Sequence, residues 1–115
     1  MGFKTDLEAL ILAVLQDGPA HGYEIAKRVR KQSANALELG ENRLYPCLKA
    51  LEEGALVEAE WDPQDGRPAR KTYSLTAQGR RELEAKRSSW EKYSEAVNLI
   101  LVPGMAKEAR NGKVS

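Results

Sequence analysis

With 115 residues, 42% hydrophobic and 30% charged, the chain has the profile of one small globular domain with room for a single appended element. A net charge of +1 excludes a bulk polycation, and the single cysteine excludes an internal disulfide or a Cys-only metal site. No stretch approaches the roughly 20 apolar residues of a membrane span, and Met1-Gly2-Phe3-Lys4-Thr5-Asp6 lacks the pattern of a secretory signal. The expected compartment is therefore the reducing cytoplasm, and a core this small gains from being shared with a second copy.

In chain order, Thr5 and Glu8 have the spacing of a capping box that starts a first helix. Leu7, Leu10, Ile11, Val14 and Leu15 form its apolar stripe, and Gly18-Pro19 stops it. A second, shorter helix is predicted from His21 or Gly22 to about Lys31. Ile25 and Val29, with Tyr23 and Ala26 beside them, face inward, and Lys27, Arg28, Arg30 and Lys31 lie outward or at the C-terminal end. Gln32 to Gly40 reads as a polar connection with Leu37 and Leu39 as anchors. The third helix opens between Asn42 and Tyr45, which keeps Pro46 in the first turn, and ends at Gly54. Leu44, Leu48 and Leu51 are its inner face.

The period then changes. Leu56 to Trp61 alternates apolar and acidic residues as a half-buried strand, with Trp61 expected to pack on the body. Asp62 to Pro68 is turn chemistry around Asp65-Gly66, and Arg70 to Leu75 is the returning strand, so the pair forms a hairpin. Thr76 caps a long helix from Ala77 to about Val102, roughly 39 Å at the helical rise. Leu83, Trp90 and Val97 recur at heptad spacing, Tyr93 and Ile100 lie between, and Leu101 widens the stripe before Pro103-Gly104.

The expected fold is thus mainly α with a small β-hairpin: a winged helix-turn-helix over residues 1–76, a dimerisation helix over 77–103 and a flexible tail over 104–115. In such a fold a recognition helix buries one face and offers the other to a DNA major groove. Asn42, Arg43, Tyr45 and Lys49 occupy the outer face of the third helix, where Arg suits guanine and Asn suits adenine. Lys27 in the second helix, and Arg67, Arg70 and Lys71 in the wing, supply cations for phosphate. Glu41 suits the positive end of the helix dipole rather than a DNA contact.

Three segments, His21-Gly22-Tyr23-Glu24-Ile25, Leu44-Tyr45-Pro46-Cys47-Leu48 through Val57, and Gly66-Arg67-Pro68-Ala69-Arg70-Lys71-Thr72-Tyr73-Ser74-Leu75-Thr76, resemble the signature blocks of PadR-type regulators over about residues 5–100. The resemblance implies a homodimeric repressor of double-stranded DNA whose last helix contacts the partner subunit, and in some members release by a small aromatic or drug-like effector. It also sets His21 and Tyr23 near DNA phosphate. The expected dimer contacts are Leu7, Leu10, Leu83, Trp90, Tyr93, Val97, Ile100 and Leu101.

Bland readings stand beside these. His21, the single histidine, suits a helix start as well as a phosphate, and Cys47 reads as a small hydrophobe packed on its helix. Trp90 is an interface knob or a platform for a planar ligand. No catalytic set, cofactor motif or metal cluster emerges, so an enzyme is not expected. A winged-helix adaptor or ligand sensor without promoter binding is the rival reading.

Overall fold

The computed structural model describes residues 6–104, and the chain divides into two compact units, Met1–Leu83 and Glu84–Ser115. The described part contains helices α1 (Leu7–Val14), α2 (Gly22–Gln32), α3 (Glu41–Glu53) and α4 (Ala77–Leu101). Three strands, β1 (Ala20–His21), β2 (Val57–Gln64) and β3 (Arg67–Leu75), form an antiparallel sheet in the order β1-β3-β2. Thr5 and the 105–115 part of the tail lie outside the described residues.

In the first unit, α1 starts at Asp6, whose carboxylate accepts the Ala9 N–H at 3.1 Å, so Asp6 rather than Thr5 is the observed cap. Ile11 and Leu12 are fully buried, and Leu7 and Leu10 are half-buried against the same core. Leu12, outside the expected stripe, is enclosed because the helix is covered on a wider arc than five positions define. A 3-10 turn, Leu15–Asp17, and Gly18 at φ +123° lead into β1. Tyr23, assigned to the inner side of α2, is instead 68% exposed, while Ile25 and Val29 are buried as expected.

Two connections close with the same device. After α2, Ala34 adopts φ +53° while the Asn35 N–H bonds the Arg30 carbonyl and the Ala34 N–H that of Lys31. After α3, Ala55 adopts φ +62° while the Leu56 N–H bonds Leu51 and the Ala55 N–H bonds Glu52. Both are Schellman endings with alanine in the left-handed position. The sequence pointed to Gly54 for that task, but Gly54 has φ −84° and is an ordinary helix-end residue. Between α2 and α3, Leu39 is buried and Leu37 is not.

The hairpin is longer than its composition suggests. Strand pairing continues through Asp62↔Arg70 to Gln64↔Arg67, leaving only Asp65-Gly66 as the turn, with Gly66 at φ +67°. The register slips between Asp62 and Gln64, so that Pro68-Ala69 faces Pro63. Such a bulge is where prolines fit a ladder, because the missing N–H donors need no partner there. Ala20↔Tyr73 and His21↔Thr72 add the third strand, which no local pattern announces.

Thr76 caps α4 as expected: its hydroxyl accepts the Gly79 N–H at 2.9 Å and donates to the Ala55 carbonyl at 2.7 Å. A Cβ on Gly79 would come within 2.0 Å of the Leu56 carbonyl oxygen, so the first turn of α4 reaches the backbone after α3 only because this residue has no side chain. Leu83 is 3% exposed within the same core. It is therefore buried in this core and not exposed with the rest of the expected dimer stripe, and it is the last residue of the first compact unit.

The second unit is the remainder of α4. Its side chains include Trp90 at 60%, Ile100 at 81% and Leu101 at 63% exposure, with the Trp90 and Tyr93 rings 6.0 Å apart. No helix among the described residues is long and apolar enough to cross a membrane.

Candidate nucleic-acid interface

Helix α3 separates its two faces cleanly. Leu44, Leu48 and Leu51 are each at most 1% exposed, and Asn42, Arg43, Tyr45 and Lys49 are all exposed. A helical period with leucines at i, i+4 and i+7 forces this division once the leucines are buried. The helix begins at Glu41, earlier than the Pro46 argument placed it, so Pro46 stands in the second turn and the Asn42 carbonyl loses its i+4 donor. Its N-cap is Gly40, with no side-chain cap bond, and the Arg43 N–H donates to the Gly40 carbonyl at 3.1 Å.

The start of α2 lies against this helix. A Cβ on Gly22 would sit 2.6 Å from Tyr45 Oη and 2.7 Å from Tyr45 Cε1, so the tyrosine ring covers the glycine backbone. His21 is the N-cap of α2, its Nδ1 accepting the Glu24 N–H at 3.4 Å, and its ring is stacked on Tyr23 at 6.4 Å. The helix-start role of His21 is thus observed. The structure brings His21, Gly22, Tyr23 and Tyr45 into one neighbourhood, with Tyr23 projecting into solvent.

The cations divide into two groups. Lys27, Arg43, Lys49, Arg67 and Arg70 are exposed and, among the described residues, form no ion pair. Arg28 and Lys71 have partners within the protein. Arg28 donates to the carbonyls of Val14 (3.0 Å), Gly18 (2.8 Å) and Pro19 (3.5 Å) and lies 3.6 Å from Glu24. It ties α2 to the turn ahead of β1, which corrects its assignment to an outward face.

Lys71, expected to contact phosphate, has a partner within the protein. Its Nζ is 2.9 Å from Glu52 Oε1 on α3, 5.6 Å from the Trp61 ring and 5.7 Å from the Tyr73 ring. The hydrogen bond to Glu52 raises the Lys71 pKa above its ordinary value. Burial raises that of the Tyr73 phenol. Trp61, expected to pack on the body, is 66% exposed and meets Lys71 instead. Glu52 and Trp61 are the residues that the sequence reading missed at this site. Glu52 stands 19 positions from Lys71, and nothing local signals the pairing.

Register assigns Val57, Ala59, Trp61, Lys71, Tyr73 and Leu75 to one face of the hairpin, and Glu58, Glu60, Asp62, Arg70, Thr72 and Ser74 to the other. The Thr72 hydroxyl donates to the Asp62 carboxylate on that second face. Three carboxylates make that face acidic, with Arg70 at its end near the turn.

Comparison with known proteins agrees with this geometry. A PadR regulator from Clostridium difficile R20291 is 32% identical, with a TM-score of 0.72 over 84% of this chain and 99% of that one. A PadR-like transcription factor from Bacteroides fragilis is 34% identical, with a TM-score of 0.69 over 82% and 88%. Bacillus subtilis PadR, solved in complex with operator DNA, is 26% identical with a TM-score of 0.64 over 70% of this chain and 45% of that one. Residues 11–85 match the model of the transcriptional regulator PadR-like family. That match covers α3 and both strands of the hairpin, and the chain belongs to the PadR-like family of transcriptional regulators.

Proposed function

We propose that the protein is a homodimeric repressor that binds double-stranded operator DNA, acting in the cytoplasm where that DNA lies. The observation that carries this reading is the division of α3, with three buried leucines on one side and exposed Asn42, Arg43, Tyr45 and Lys49 on the other. Arg43 and Asn42 have the donors to read base edges, while Lys27, Lys49, Arg67 and Arg70, with the His21–Tyr23 corner, meet phosphates. The operator complex of Bacillus subtilis PadR supports the same use of the fold. The net charge is only +1, so the salt dependence is moderate.

Dimerisation rests on the exposed apolar residues Trp90, Tyr93, Leu99, Ile100 and Leu101 of α4, with Val97 half-buried among them. In a symmetric dimer the two α3 helices read an inverted repeat with half-sites about 34 Å apart, and occupancy blocks transcription. The tilted Trp90–Tyr93 pair also offers a stacking surface for a small aromatic effector.

Selection of bound sites from random duplexes tests the reading, with an inverted repeat as the expected result. Arg43→Ala then lowers discrimination at one position per half-site by about 1–3 kcal/mol. Unaltered base preference in that variant refutes the role of Arg43, and recovery of no duplex at all refutes DNA binding.

A further inference from the structure

We propose that Glu52 and Lys71 form a strut that sets the wing relative to α3, so that Lys71 is a positioning residue for DNA binding and not a phosphate contact. The inference rests on the DNA-binding reading above. Its starting point is a contradiction: a basic wing residue in a DNA-binding protein is the ordinary candidate for phosphate, yet this one is already occupied. Its ammonium meets Glu52 Oε1 at 2.9 Å, with the Lys71 and Glu52 side chains only 30% and 36% exposed. Trp61 and Tyr73 flank it at 5.6 and 5.7 Å, a distance at which ring faces attract a cation.

The position of this cluster gives it leverage. Glu52 lies in the last turn of α3, next to buried Leu51. Lys71 and Trp61 are opposite one another in the ladder, where β2 and β3 pass from the covered end of the hairpin toward its turn. Beyond that pair, toward Asp65-Gly66, every wing residue but Gln64 is exposed. The strut is therefore the outermost polar link between the hairpin and α3 among the described residues, and the free cations Arg67 and Arg70 hang beyond it. Fixing Lys71 on Glu52 limits the directions in which those two arginines point. The aromatic rings favour the charged amine and both side chains are partly buried, so the pair is less open to salt than a bare surface bridge.

The two possible roles of Lys71 predict opposite signs for Glu52→Gln. If Lys71 were a phosphate contact held back by Glu52, removing the carboxylate would free it and tighten DNA binding. In the strut, Glu52→Gln and Lys71→Met each weaken operator binding, by about twofold to fivefold, the range of a partly exposed pair. The double variant is no worse than either single one, and the exchanged pair Glu52→Lys with Lys71→Glu recovers part of the loss. The salt slope separates positioning from contact. Lys71→Met leaves the slope of log Kobs against log[salt] unchanged, whereas Arg70→Ala lowers it by about one.

Tighter binding by Glu52→Gln, or a slope lowered by about one in Lys71→Met, overturns the proposal. A readout without DNA keeps it apart from the functional reading: amide exchange of residues 61–71 is faster in Glu52→Gln and in Lys71→Met alike. Unchanged exchange in both overturns the strut even if DNA binding holds. If the wild-type protein selects no duplex, the DNA-binding reading falls, and the exchange measurement still decides whether the strut exists.

Discussion

The two units of the chain handle their apolar residues in opposite ways. Up to Leu83, leucines, isoleucines and valines from α1, α2, α3, β2 and the start of α4 close over one another, with Ile11, Leu12, Ile25 and Leu48 fully buried. From Glu84 onward a single helix carries Trp90, Tyr93, Leu99, Ile100 and Leu101 in the open. An isolated helix cannot bury its own stripe, and a 25-residue helix in water owes most of its stability to packing. The first unit is complete as one chain, and the second is a surface in want of a partner. On the proposed reading, assembly falls to the part of α4 after Leu83 and DNA reading to the winged unit.

Breaking the second unit has the largest expected effect. Trp90→Asp is predicted to raise the dimer dissociation constant at least about thirtyfold, since truncating a central tryptophan costs 2 kcal/mol or more and a buried charge adds to it. The winged unit keeps its stability within about 0.5 kcal/mol, because Trp90 belongs to the other compact unit and is 60% exposed. Sedimentation and thermal unfolding of the same variant test both halves, and an intact dimer would contradict the role given to α4.

Gly79→Ala strikes the first unit. Its methyl would collide with the Leu56 backbone, so about 1–3 kcal/mol is expected to be lost in urea unfolding. An unchanged midpoint would show that the first turn of α4 is not tightly seated. Trp90→Asp and Gly79→Ala should therefore separate, one acting on assembly and the other on folding.

Alkaline pH gives a smaller and graded effect. The folded-state pKa of Tyr73 is raised by burial above 10.0, and that of Lys71 is raised by Glu52 above 10.5. In both cases the folded state holds its proton more tightly than the unfolded one. The associated stability is complete below about pH 10 and is lost as pH rises through the folded values. Urea midpoints should accordingly be flat from neutrality to that point and fall above it, and Tyr73→Phe should soften the fall. An equal decline in Tyr73→Phe would remove Tyr73 from the account.

The smallest change runs the other way. Ala55→Gly relieves a left-handed alanine, at the cost of a freer unfolded chain, and should add about 0.5 kcal/mol. A lower midpoint would mean that the Ala55 methyl has packing value.

Much of the winged unit was legible in one dimension. The period of 3.6 residues placed the helices, and Leu44, Leu48 and Leu51 identified the inner face of α3 and hence the outer one. Thr76 and Asp65-Gly66 performed the local tasks their chemistry suits. The errors share a cause. β1 is two residues with no pattern of its own, called into the sheet by Tyr73 and Thr72 more than fifty positions away. The prolines of the wing looked like turn residues because a bulge that tolerates them depends on the opposite strand. Leu83 matched the heptad of Trp90 and Val97, but only the fold brings the start of α4 against the core.

The sequence by itself determined the helices, the hairpin turn and the family, because periodicity, capping and turn chemistry act between residues a few positions apart. Tertiary structure decided which charges remain available. Arg28 and Lys71 look no different in the chain from Arg30 and Arg70, yet the first two meet acceptors 14 and 19 residues away. A cation is free for a partner only where folding brings no carbonyl or carboxylate within reach, and that is a property of distance in space.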